Sequence, residues 1–138
     1  MSIGVVNACE CMGSTVQNGK DGADVVFRGT LTALRPAPKI RFPGDTGRIA
    51  VFRVSRVWKG KVGDIFEMPA DEATAACWGF SSLTIGDELL VYARQLGGTH
   101  FASNFCHTRR VKFASKDLVE LGLGEEPKAS TPRSQNSK

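Results

Sequence analysis

The tightest constraint on this chain is the tripeptide Cys9-Glu10-Cys11. Two cysteines one residue apart do not bond each other comfortably, because a disulfide needs Cα atoms roughly 5.5–6 Å apart and facing side chains. In an extended segment both side chains point the same way, since strand side chains repeat every second residue. Each is therefore expected to tie the N-terminal stretch to a distant part of the fold. The other two cysteines, Cys77 and Cys106, lie far downstream. Four thiols can pair in three ways. Reduced, buried thiols would suit a cytosolic protein. A zinc site built from Cys9, Cys11, Cys106 and the adjacent His107 is a rival, but the usual zinc knuckle opens with a wider cysteine spacing than C-x-C. Two disulfides in an exported protein are the preferred reading, with no metal and no cofactor in the free protein.

The chain has 138 residues and a formal charge of +4, enough for one domain with a proper core. Apolar residues make up 41 %, an ordinary globular share that argues against disorder of the whole chain. The positive charge comes from arginines scattered at Arg28, Arg35, Arg41, Arg48, Arg53 and Arg56 and from Arg109-Arg110. Nucleic-acid binders more often show a dense stripe, so a solvated basic face is expected and no nucleic-acid partner. Residues 1–8 read as a leader remnant or an extension. They are too short for a signal peptide, yet Val6-Asn7-Ala8 places small or short residues where a signal peptidase reads. No stretch approaches the roughly 20 apolar residues of a membrane span.

Residues 12–24 are rich in glycine and turn formers and read as a loop, with at most one helical turn near Ser14–Asn18. Strand pattern begins at Val25, where Val25, Phe27, Gly29, Leu31 and Ala33 alternate with Val26, Arg28, Thr30 and Thr32. Gly29 in mid-strand suggests a bend or a close backbone approach. Arg35 to Gly47 holds three prolines and two glycines and reads as a loop. Ile49 to Trp58 is the longest strand signal, with Phe52 and Val54 inward and a bulge before Val57-Trp58. Ile65, Phe66 and Met68 form a third strand ended by Pro69. Leu89–Arg94 and Thr99–Phe105 are the fourth and fifth, joined by Gly97-Gly98. Ser115 reads as the N-cap of a helix over Lys116–Leu121, with Leu118, Val119 and Leu121 apolar and Gly122 ending it. From Glu125 the composition turns polar, so 123–138 reads as a disordered tail, either frayed or a spacer to an anchor. Five strands and one helix point to an all-β chain folded as a small closed sheet, which suits an OB-type barrel better than a sandwich of about seven strands.

An ordered set of pieces carries a family resemblance: Cys-x-Cys at residues 9–11, Val25-Val-Phe-Arg-Gly-Thr, Phe52-Arg-Val-Ser-Arg-Val-Trp-Lys-Gly60, Cys77, Gly86-Asp-Glu-Leu-Leu-Val-Tyr-Ala93 and Cys106. From Cys9 to Gly122 the chain resembles the N-terminal inhibitory domain of the tissue inhibitors of metalloproteinases, and especially its bacterial relatives. The resemblance implies a five-stranded, netrin-like OB-fold over 9–122 with a short C-terminal helix. It implies two disulfides, Cys9–Cys77 and Cys11–Cys106, each worth roughly 4 kcal/mol by chain-entropy estimates. It also implies a secreted or extracytoplasmic monomer.

The resemblance further implies a mechanism. In animal inhibitors of this type the first cysteine is the mature N-terminus, and its α-amino group and carbonyl oxygen chelate the catalytic zinc of a protease. Here that residue would be Cys9, once the chain is cut after Ala8. The inhibitory ridge would be Cys9, Glu10, Cys11 and Met12, flanked by Ala75 and Ala76. Glu10 stands where animal members carry a small hydroxyl residue, and Met12-Gly13 replaces their stiffening prolines. The alternative is a non-inhibitory protein- or polyanion-binding module of the cell envelope, with Arg35, Lys39, Arg41 and Arg48 as contacts. Nucleic-acid binding through Phe52, Trp58 and Tyr92 ranks lower, because the core is their expected place. An enzyme is least favoured. His100 and His107 are the only histidines, Asp71-Glu72 reads as solvated charge, and Trp78 is expected to pack on a bridge.

Overall fold

The computed structural model describes residues 15–36, 47–70, 84–97, 100–103 and 107–128. In chain order these form α1 (Val16–Gly22), β1 (Val25–Pro36), β2 (Arg48–Lys59), β3 (Ile65–Pro69), β4 (Glu88–Gly97), β5 (His100–Ser103), β6 (Arg109–Arg110), a 3-10 turn at Val111–Phe113 and α2 (Ser115–Leu121). The strands form one antiparallel sheet in the order β3-β2-β1-β4-β5, with β6 beside β4. The class is thus mostly β, as expected, but with six strands among the described residues rather than five. β6 pairs only Arg109 and Arg110 with Leu90 and Leu89, and two residues carry no periodicity that a sequence could display.

The sheet is strongly curled. The β1–β2 ladder is interrupted three times by register shifts, and bulges of this kind raise the local twist. One sits at Ser55, the extra residue between the pairs Arg28–Arg56 and Gly29–Val54. It turns Val57 inward along with Phe52 and Val54. Gly29 lies beside it, where an added Cβ would stand 3.0 Å from the Arg53 carbonyl oxygen. The curl brings the edge strands together. Phe66 of β3 and Phe101 of β5 stand 5.1 Å apart, ring centre to ring centre, in an edge-on arrangement. Among the described residues no hydrogen-bond ladder joins those strands, so the expected closed barrel is corrected to an open one whose seam is aromatic.

Two cores share the sheet. Inside the curl, Phe27, Leu31, Phe52, Met68, Leu89 and Val91 are fully buried. Each such side chain contributes about 1.5–3 kcal/mol relative to exposure. Phe27 meets Phe52 at 5.6 Å and Phe66 at 4.9 Å, so the aromatic cluster runs unbroken to the seam. On the outer face, Val26, Leu90 and Tyr92 pack with Ala23 and Ala114, and against Trp58, Leu118 and Leu121. This outer core explains why β4 reads as a continuous apolar run instead of an alternation: Leu89 to Ala93 is buried on both faces.

Both helices owe their place to this outer core. α1 is a poor helix by composition, with Gly19 inside it, and Thr15 caps it by accepting from the Asn18 N–H at 3.0 Å. α2 begins after Ala114 and ends at Gly122, whose φ is 83°. Its inward stripe is Ala114, Asp117, Leu118 and Leu121, while Val119 is 81 % exposed.

The start of the predicted disordered tail is corrected. Glu125 exchanges two backbone hydrogen bonds with Val57, both 2.8 Å, and the Lys128 N–H donates to the Val62 carbonyl at 2.9 Å. Trp58 donates its indole N–H to the Gly122 carbonyl at 3.0 Å. Gly124, at φ 73°, lies so close to the indole that a Cβ there would stand 2.8 Å from Nε1. Backbone pairing, rather than apolar side chains, holds 123–128, which is why composition missed it. Residues 129–138 lie outside the described residues. No helix among the described residues is long and apolar enough to cross a membrane.

Candidate functional site

The inhibitory ridge expected from the sequence, Cys9, Glu10, Cys11, Met12, Ala75 and Ala76, lies outside the described residues, as do Cys77, Cys106, Lys39, Arg41, Asp71, Glu72 and Trp78. What the structure does describe is the ground next to two of those positions. The cleft there lies between α1, α2 and the chain entering β6. It encloses about 260 Å³ and is lined by Thr15, Val16, His107, Arg109, Lys116, Asp117 and Glu120.

His107 forms the floor. It is only 7 % exposed, its ring 5.3 Å from that of Tyr92. α1 rests on it so closely that a Cβ on Gly19 would come within 2.4 Å of the imidazole Cδ2. Neither ring nitrogen finds a hydrogen-bond partner among the described residues. Burial holds the imidazole below its ordinary pKa, and the positive charge of Arg109 adds to this. The Thr15 backbone and the Asp117 carboxylate act in the opposite direction without reversing it.

Beside it runs a polar chain. The Tyr92 hydroxyl donates to Asp117 Oδ2 at 3.1 Å, and Arg109 approaches Asp117 Oδ1 at 3.6 Å. Arg109 also donates from Nε to the His107 carbonyl at 3.1 Å. Thr108 clamps β4 by accepting from the Tyr92 N–H at 2.8 Å and donating to the Tyr92 carbonyl at 3.2 Å. Burial, with the neighbouring Asp117 carboxylate, drives the Tyr92 phenol upward, so it remains a protonated donor throughout the neutral range. Asp117 is 6 % exposed, and a carboxylate so placed needs partners. The sequence held one signal for this network. At spacings of three, four and seven from Ala114, residues 117, 118 and 121 share a helix face, so an aspartate stands in the apolar stripe.

The other expected contacts fall as follows. Phe52 and Tyr92 are fully buried and Trp58 is half-buried, so all three serve the cores. Arg35 is tied to Glu67 at 2.6 Å, and Arg48 is also engaged. Among the described residues no cluster of three His, Cys, Asp or Glu side chains could hold a metal ion. Compared with protein-family models and with curated proteins, the chain finds no match.

Proposed function

We propose that this chain is an exported OB-type domain that inhibits a zinc metalloprotease through Cys9. The observation that carries the reading is the meeting of Thr15 and Val16 with His107 in one cleft. It brings the chain that follows Cys11 beside the chain that follows Cys106. Four residues reach at most about 14 Å, so a Cys11–Cys106 strap is within the reach of the chain. The strand order supports the same reading: β1 sits between β2 and β4, and β3 and β5 meet at the seam, as in an OB-type barrel.

The chemistry follows from the N-terminus. A neutral α-amine is a zinc ligand, and its pKa near 7.7–8.0 lets it deprotonate at small cost. A mid-chain amide nitrogen cannot replace it, because its lone pair is delocalised. Amine and carbonyl of Cys9 would displace the water that attacks the substrate. Glu10 would then enter the protease's specificity pocket, where a carboxylate is costly without a partner. The fitting target therefore offers a cation there.

The test compares two forms of the oxidised chain, one beginning at Cys9 and one retaining residues 1–8, against zinc endopeptidases hydrolysing a fluorogenic peptide. Inhibition by the first form alone, strengthening as pH rises through the amine's titration, is the expected result. Equal behaviour of the two forms, or an oxidised chain whose intact mass lacks the loss of hydrogens from two bridges, would overturn the reading.

A further inference from the structure

The solvent face of β1, β2 and β3 carries a feature independent of the N-terminus. Arg53 and Arg56 are an odd number of residues apart, so in a regular strand they would point to opposite faces. The bulge at Ser55 puts both on the outside. Arg56 there pairs directly across the ladder with Arg28, and Arg53 with Thr30. Like charges directly opposite each other destabilise a sheet. Glu88 answers only one of the three, holding Arg28 through two contacts of 2.7 and 3.3 Å. Among the described residues Arg53 and Arg56 pair with no carboxylate. On its other side Arg53 faces Ile65 of β3, which is 48 % exposed.

We propose that this face, centred on Arg53 and Arg56, docks an acidic segment of a partner protein. The charge on the face calls for carboxylates, and guanidinium forks match them in bidentate geometry. The aliphatic neighbour selects among anions. A uniformly sulfated or phosphorylated chain has nothing to lay on Ile65, whereas a peptide with acidic and apolar side chains meets both. Arginine is also enriched at protein interfaces.

The test measures fluorescence anisotropy of a labelled glutamate–leucine peptide, with a heparin oligosaccharide as the contrasting probe. Binding of the peptide to the oxidised chain is expected, weakening as salt rises from about 50 to about 150 mM. The Arg53→Glu, Arg56→Glu variant should lose about tenfold or more in affinity, and Arg53→Lys, Arg56→Lys should fall between, since lysine lacks the fork. Both sites reach solvent, and unchanged thermal melting would show the fold intact. Should the glutamate pair fail to fold, Arg53→Ser with Arg56→Ser replaces it. Failure of the peptide to bind, unchanged peptide affinity in the variants, or binding of heparin alone at this face would overturn the proposal. None of these outcomes bears on inhibition through Cys9.

Discussion

Asp117 and Tyr92 depend on each other. Removing the carboxylate as Asp117→Ala leaves the buried Tyr92 phenol without its acceptor and takes the ion pair from Arg109, at a cost of about 1–3 kcal/mol. Tyr92→Phe takes one donor from the buried carboxylate but leaves it the Arg109 guanidinium, and is expected to cost less. Urea unfolding of both variants checks the order. Two glycines of α1 separate propensity from packing. Alanine raises helix propensity at either, by up to about 1 kcal/mol. At Gly22 a methyl group meets nothing within 4 Å, but at Gly19 it strikes the His107 ring. Gly22→Ala should therefore be neutral or stabilising, and Gly19→Ala destabilising by about 1–3 kcal/mol, read from the same unfolding curves. His107 also sets a pH dependence. Its pKa in the fold lies below the free value, so the unfolded chain takes up a proton first as pH falls. Its contribution is full above about pH 6.5 and is lost progressively below it, down to the folded pKa. The stability difference between the parent chain and His107→Phe should shift in favour of the variant over that interval. A constant difference would show the imidazole to be freely protonated in place.

Among the elements, the long strands were legible because β-branched and aromatic residues alternate along them, and even the bulge before Val57 could be read where that alternation slips. α1, β6 and the C-terminal segment were not legible, and each has a tertiary cause. α1 holds Gly19 and Gly22 and is kept helical by a threonine cap and by its seat on His107. β6 is held by a partner strand. Residues 123–128 are held through backbone groups, to which composition is blind. The candidate site divides in the same way. The cysteine pattern carries the expectation of a tethered N-terminus, which lies outside the described residues, whereas the cleft beneath α1 depends on a histidine and an aspartate made neighbours only by the fold. The C-terminal segment gives a direct test. Ending the chain at Gly122 removes the Val57–Glu125 pair and the Lys128 bond. Loss of about 1–3 kcal/mol of stability is expected, against no change if the segment were an idle tail. Gly124→Ala should reproduce part of that loss through its clash with Trp58.

At the scale of the molecule, β3 and β5 meet through an aromatic pair, with no hydrogen-bond ladder between them among the described residues. Edge-on aromatic pairs contribute about 0.5–1.5 kcal/mol beyond the area they bury. A double-mutant cycle on Phe66 and Phe101, each changed to leucine, should show coupling of that size, and additivity would mean the edges do not meet in solution. The interior core and the helical cover share β1, through Phe27 inside and Val26 outside, and most fully β4, whose residues 89 to 93 are enclosed from both sides. Peeling α2 and its neighbours away would wet one side of β4 and leave the other dry. Parting the seam would do the reverse. The amides of this stretch should thus be the last to trade hydrogen for deuterium, surrendering only when the entire domain comes apart.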